Sequence, residues 1–130
     1  MSKERLIKFP TYEASNGILS VYESIKKVPF DIKRVFVVSA KKGDVRGEHA
    51  HKKCSQILIC ISGKIRVLCN DGNVINYYTL DKISTGLLIP PRIWAKQEYE
   101  EENNILMVLC DRHYEQEDYI YGHDNLKDLI

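Results

Sequence analysis

The chain lacks any apolar run approaching the ~20 residues that a membrane-spanning helix needs. It has almost no net charge: 19 Lys and Arg stand against 18 Asp and Glu, a formal +1. Such a balance supplies no general field for nucleic acid or for an anionic bilayer, so neither is an expected partner and any anion must be held by a few local cations. Cysteine is sparse and unpatterned: Cys54, Cys60, Cys69 and Cys110 include no CxxC pair. Met1 to Pro10 carries Lys3, Arg5 and Lys8 but no apolar centre of signal-peptide length, so the expected compartment is the cytoplasm, with reduced and mostly buried thiols. Missing too are helical periodicity over most of the chain, any repeat, and any linker or low-complexity stretch.

What is present is a series of short β-rich runs. With 44% apolar and 28% charged residues, the sequence has the composition of a folded globular protein. At 130 residues it suits one domain, residues 1–130, burying roughly 68% of its unfolded surface. Expected strands are Ile18 to Tyr22 (after the turn dipeptide Asn16-Gly17), Ile32 to Val38, Gln56 to Ser62, Lys64 to Cys69, Val74 to Leu80, Gly86 to Ile89 and Ile105 to Leu109. Asp71-Gly72 gives the clearest hairpin signal, and the strand after it should split Tyr77 and Tyr78 between its faces. Pro90-Pro91 offers no backbone donor and should mark a corner before Trp94. Tyr99-Glu100-Glu101-Glu102 reads as a solvated loop, His113 and His123 as surface residues, and Asp124 to Ile130 as a short C-terminal helix. Short strands spaced this regularly predict an all-β sandwich or barrel.

The sharpest local feature is Arg46-Gly47-Glu48-His49-Ala50-His51-Lys52-Lys53. On a strand, His49 and His51 share one face roughly 7 Å apart, with Ala50 turned away. Two imidazoles converging on one cavity can bind a metal or move protons near neutral pH. A pair of satisfied polar residues on an exposed strand is the plainer reading of the same pattern.

Gly47-x-His49-x-His51 followed by Gln56 and Gly63 resembles the first cupin motif, and Gly86 to Gln97 stands in the place of the second. More specifically, almost the whole chain resembles the dTDP-4-keto-6-deoxyglucose 3,4-ketoisomerases. The matching stretches are Pro29-Phe30 with Ile32-Lys33-Arg34-Val35, Arg46-Gly47 with His49-Ala50-His51-Lys52-Lys53, then Asp71-Gly72, Pro90-Pro91 with Trp94, and Asp118-Tyr119-Ile120. The resemblance implies a cupin-type β-barrel (jelly roll), a homodimer, metal-independent isomerase chemistry without a cofactor, and a place in making 3-amino-3,6-dideoxy sugars for lipopolysaccharide or other surface glycans. Metal-binding cupins resemble a site of two histidines, a glutamate and a later histidine. Here those last two positions hold Gln56 and Ala95, leaving two good protein ligands, so no metal is expected.

Moving a carbonyl from C4 to C3 of a hexose needs a base for the acidified C3 hydrogen and donors for the developing oxyanion. His51 is the expected base, with His49 polarising an oxygen or shuttling protons; the reverse assignment is also open. For substrate binding, Arg46 suits the pyrophosphate because a guanidinium fork matches phosphate oxygens. Arg34 is a second cavity candidate, Gln56 can hold a sugar hydroxyl or a histidine, Trp94 can stack on sugar or base, and Lys53 can approach phosphate. Asn16, a further substrate-binding candidate, stands where the family commonly has an arginine, Ala95 where it has a histidine or another large polar residue, and Phe36-Val37 where tyrosines usually follow Arg-Val. These departures leave the C4 configuration of the product open, along with a shifted substrate or reduced activity. Alternatives to the ketoisomerase are a dTDP-4-keto-sugar epimerase and a non-catalytic sugar-nucleotide-binding cupin, with a metal-dependent dioxygenase as a fourth reading.

Overall fold

A computed structural model describes residues 3–122. It consists almost entirely of antiparallel strands: β1 (Arg5–Lys8), β2 (Thr11–Ala14), β3 (Gly17–Ser20), β4 (Arg34–Ala40), β5 (Val45–His51), β6 (Gln56–Ser62), β7 (Ile65–Asn70), β8 (Ile75–Leu80), β9 (Thr85–Ile89), β10 (Trp94–Tyr99), β11 (Asn104–Cys110) and β12 (Tyr119–Tyr121). Two five-stranded sheets are formed, in the orders β1-β9-β6-β11-β4 and β12-β5-β10-β7-β8, while β2 and β3 make a separate hairpin. Their inner faces meet over Leu58, Cys60, Val67, Leu87, Leu106 and Val108, the expected jelly-roll arrangement.

Burial explains which sequences became which strands. In β4, Arg34, Phe36 and Val38 turn partly inward while Val35, Val37 and Ser39 are exposed, the alternation of an edge strand with one wet face. Strand β6 is buried from Gln56 to Cys60 because both of its faces are covered. Leu58 and Cys60 enter the inter-sheet core, and Ile57 and Ile59 meet Ile7, Phe9, Val28 and Leu109 on the other side. Each such buried aliphatic side chain contributes roughly 1.5–3 kcal/mol of transfer free energy. All four cysteines are buried and unpaired, as expected.

The turns follow their chemistry. Asp71 accepts from the backbone N–H of Asn73 and Val74 at 2.8 and 2.7 Å, closing the β7–β8 hairpin with Gly72 at φ 93°. Tyr77 is exposed, whereas the Tyr78 hydroxyl donates to Glu4 at 2.9 Å. Pro90 and Pro91 lie in the corner between β9 and β10, and beyond them the N–H of Arg92 donates to the carbonyl of His51 at 2.6 Å. That bond ties the corner to the end of the histidine strand.

Several expectations change. Strands β1, β2 and β12 are too short and too polar to announce themselves by periodicity. Tyr99 is no loop residue: it ends β10 with its ring buried in the core, while Glu101 and Glu102 are exposed as expected. The expected helix over Asp124 to Ile130 and the surface placement of His123 fall outside the described residues; His113 is exposed.

Candidate active site

Strands β4, β6 and β11 of one sheet and β5, β10 and β12 of the other enclose a cavity of about 350 Å³, within the usual range for small-molecule sites. Its apolar wall is Phe36, Val38, Leu58, Leu106 and Val108. Its polar groups are Arg34, Arg46, His49, Gln56, Gln97 and Tyr119. Four of the six polar groups stand on β5, β10 and β12, while Arg34 and Gln56 stand on β4 and β6 beside the apolar side chains.

A bulge aims the histidines. In the β5–β10 pair, Ala95 faces His49 but Lys96 faces Gly47, so Glu48 is the extra residue and takes φ 60°. Gly47 sits at φ 85°, and a Cβ there would lie 2.9 Å from the Gln97 amide. This backbone requires glycine. Beyond the bulge, His49 and His51 share one face with ring centroids 5.0 Å apart, and Ala50 packs away from them with Leu68, Trp94 and Ile120.

Their roles separate by access. His49 lines the cavity and shares its Nδ1 hydrogen with the Gly47 carbonyl at 3.0 Å, which leaves the Nε2 lone pair as the free basic atom. Burial holds its pKa below the ordinary histidine value, so it stays neutral at neutral pH. His51 is buried behind it, with Nδ1 against Asp118 Oδ2 at 3.1 Å. Its Nε2 is shielded from solvent and finds no hydrogen-bond partner among the described residues. Burial, followed by the neighbouring His49, drives its pKa down to about 4, although the Asp118 carboxylate pulls the other way. Of the two rings that the sequence left interchangeable, His49 is the one on the cavity wall and His51 is the buried one behind it.

Sequence reasoning missed the groups around this pair. Asp118 is buried and accepts from His51 and from the backbone N–H of Lys53 and Cys54 at 2.8 and 3.2 Å, locking the end of β5 to the 3₁₀ turn Gln116–Asp118. Tyr119 packs its ring against both imidazoles, with centroids 4.7 Å from His49 and 4.4 Å from His51. Gln97 lies over the glycine of the bulge. The string Asp118-Tyr119-Ile120 was visible as a matching stretch, but its role depends on β12 pairing with β5, a contact that spans more than sixty residues and that no local pattern reveals.

Other expected site residues divide. Arg34, Arg46 and Gln56 reach the cavity, and Gln56 also donates its amide N–H to the Cys110 sulfur at 3.5 Å. Trp94 does not reach it: the indole packs on the outer face of the sheet, because alternation along β10 sends Ala95 and Gln97 inward instead. The Lys53 side chain is exposed and only its backbone N–H is engaged. Asn16 is exposed in the β2–β3 turn, away from the cavity. Ala95 sits directly across from His49 and joins the apolar core, so among the described residues no third imidazole stands beside the pair.

His51, Cys54 and Asp118 present ligand-type atoms within 4.8 Å of one another. Their chemistry suits a hydrogen-bonded lock better than a metal cage. The Asp118 oxygens already take three donors, and the Cys110 thiol next to Cys54, together with burial, pushes the Cys54 thiol far above its ordinary value, away from the thiolate a metal needs.

Two facing antiparallel sheets, with a His-x-His strand opening onto the space between them, define a cupin-type barrel. The particular family follows from comparison: the chain belongs to the family described as FdtA: WxcM-like, C-terminal, which matches residues 2–130. It is 39% identical over 129 residues to the TDP-4-oxo-6-deoxy-α-D-glucose-3,4-oxoisomerase of Aneurinibacillus thermoaerophilus, covering 98% of this chain and 93% of that protein. It superposes with a TM-score of 0.93, at 32% identity, on a histidine-to-asparagine mutant of the 3,4-ketoisomerase QdtA from Thermoanaerobacterium thermosaccharolyticum in complex with TDP-4-keto-6-deoxyglucose, over 98% of this chain and 94% of that one. The rmlC epimerase of Mycobacterium tuberculosis shares the fold alone, at 15% identity and a TM-score of 0.78 over 89% of this chain and 66% of that one.

Proposed function

We propose that this protein is a sugar-nucleotide 3,4-ketoisomerase that converts dTDP-4-keto-6-deoxyglucose to a dTDP-3-keto-6-deoxyhexose without a metal or other cofactor. The observation that carries the reading is His49: a neutral imidazole with a free Nε2, on the wall of a hexose-sized cavity, in a chain 39% identical to an oxoisomerase of that substrate. His49 removes the C3 hydrogen, which the C4 ketone acidifies, and the same imidazolium returns a proton to C4. A base placed this way accelerates such steps by about 10²–10⁴-fold.

His51 acts behind it. Held by Asp118, its neutral ring packs edge-on against His49 and keeps water away from that side. Arg34 and Arg46 at the cavity rim supply the charge for the pyrophosphate, and Gln56 and Gln97 reach the hydroxyls of the sugar. An epimerase would use a similar enolate, but the likeness to epimerases is confined to the fold.

The wider setting is proposed on the same basis: a single catalytic domain over residues 1–130 in the cytoplasm, feeding 3-amino-3,6-dideoxy sugars to surface glycans. A homodimer is favoured by exposed apolar side chains on the β2–β3 hairpin (Tyr12, Ile18, Leu19) and on the free edge strand β4 (Val35, Val37). Light scattering on the eluting protein reads that state directly.

The test of the activity is incubation with dTDP-4-keto-6-deoxyglucose in D₂O followed by NMR. A 3-keto product carrying deuterium at C4 is expected, and the H4–H5 coupling of the product made in a parallel H₂O incubation gives the galacto or gluco configuration. A carbonyl that stays at C4 in an inverted product would make the protein an epimerase. Tight binding without any exchange would make it a sugar-nucleotide-binding cupin.

A further inference from the structure

The isomerisation moves hydrogen between two carbons and also between two oxygens. His49 answers for the carbons, and Phe36-Val37 leaves β4 without a phenol to serve the oxygens. The opposite wall provides one. Tyr119 lines the cavity, its ring touches both imidazoles at centroid distances of 4.7 and 4.4 Å, and Arg34, another cavity residue, is the cation that acts on its hydroxyl. Arg34 is itself fixed by its guanidinium lying over Phe36 at 4.7 Å and over Tyr114 at 5.2 Å. A guanidinium has only donors, so toward the phenol Arg34 can engage the oxygen alone. The O–H hydrogen of Tyr119 is thereby left free for another acceptor.

We propose that Tyr119 is a further catalytic residue of this site, the acid–base group that carries the proton between the two substrate oxygens while His49 carries the one between the carbons. This rests on the ketoisomerase reading. As His49 takes the C3 hydrogen, the C3–H electron pair forms the C3=C4 double bond and the C4=O π pair moves onto O4. Tyr119 gives its O–H proton to O4, which makes a neutral enediol and a phenolate beside the Arg34 cation. The phenolate then takes the proton from the O3 hydroxyl. The O3 electron pair forms C3=O, the double-bond pair takes the proton from the His49 imidazolium at C4, and both side chains are restored. O3 and O4 sit on adjacent carbons of a planar enediol, so one phenol serves both. Burial raises the phenol above its ordinary value against the opposing pull of Arg34, which keeps it protonated and ready to donate at neutral pH.

Tyr119→Phe keeps the ring against the histidines and removes only the hydroxyl. In D₂O with dTDP-4-keto-6-deoxyglucose, product formation should fall about 10²–10⁴-fold. Wash-in of deuterium at C3 of unconverted substrate should fall far less, because His49 still forms the enolate but O4 goes unprotonated. The ratio of exchange to turnover therefore rises at least tenfold, with dTDP affinity unchanged. Turnover within threefold of wild type would overturn the proposal. So would exchange and turnover falling together, which would mean that the tyrosine acts by packing the histidine. If the Phe variant does not fold, 3-fluorotyrosine at position 119 keeps the shape with a more acidic phenol and should move the alkaline limb of kcat to lower pH; an unmoved limb counts against the shuttle. Failure of the wild-type protein to make any keto-sugar product would instead sink the ketoisomerase reading itself.

Discussion

Burial of His51 makes the stability of this protein depend on pH in a defined window. In the folded chain its pKa is pushed to about 4, first by loss of water and then by His49, whereas in the unfolded chain it returns to the ordinary histidine value of 6.5. Above 6.5 neither state binds the proton, and the group contributes no pH dependence. As pH falls from 6.5 toward 4, the unfolded chain takes up a proton that the folded one refuses, so stability is lost across that interval and the loss levels off below it. At about 1.4 kcal/mol for each unit of separation, the full loss is on the order of 3 kcal/mol. This is a large part of the roughly 5–15 kcal/mol that holds a domain together. The assay is urea unfolding from pH 7.5 to 4.5 for the wild-type protein and for His51→Asn, whose side chain cannot titrate. Carboxylates and His49 titrate in both, so the difference between the two curves isolates His51. It should widen in favour of the variant's relative stability by about 2 kcal/mol as pH falls from 7 to 4.5. Parallel curves would refute the argument, because they would place the His51 ring in water or leave it protonated against Asp118.

Other substitutions read other parts of the structure. Asp118→Asn removes one of the acceptors shared by His51, Lys53 N–H and Cys54 N–H and sets an amide N–H₂ among donors; a loss of about 1–3 kcal/mol in urea unfolding is expected, with kcat falling further than dTDP affinity. Gly47→Ala places a methyl group 2.9 Å from the Gln97 amide at φ 85°, and should cost about 1–3 kcal/mol together with a raised KM. Asn104 is wholly buried and accepts from the N–H groups of Lys64 and Glu101 while donating to the carbonyls of Ala40 and Glu101, so Asn104→Ala should lower stability by about 3 kcal/mol without changing kcat in the protein that stays folded. Trp94→Phe, on the outer face of the sheet, should leave KM within twofold of wild type while thermal melting registers the lost packing.

How much of this was readable in the sequence depends on the range of the contact that decides each feature. Gln56 to Ser62 announced itself as a strand with the bounds observed, because both of its faces are covered and an unbroken apolar run needs no partner to be seen. Asp71-Gly72 was equally plain, since its turn is made from its own side chain and backbone. Strands β1 and β12 were silent: four and three residues long at sheet edges, they owe their form to β9 and β5. Tyr99 was misread for the opposite reason, as the acids after it imitate a loop although the ring itself closes the core.

The same distinction runs through the site. His49 and His51 were legible because alternation on one strand needs no tertiary information. Which of them is accessible was not, because that turns on Asp118 and Tyr119, which arrive from the far end of the chain and cover His51 while leaving His49 on the cavity wall. Trp94 failed for a related reason. The parity of β10 is set against β7 and β5 through a bulge at Glu48, and a one-residue difference in register decides whether an indole or a methyl group faces the imidazoles. Here the methyl group of Ala95 faces them, and this changes how the site must work. With Ala95 across from His49, His49 is the one imidazole among the described residues that lines the cavity. In the proposed reaction the charge on the substrate oxygens therefore falls to Arg34 of β4 and Tyr119 of β12, both on the cavity wall.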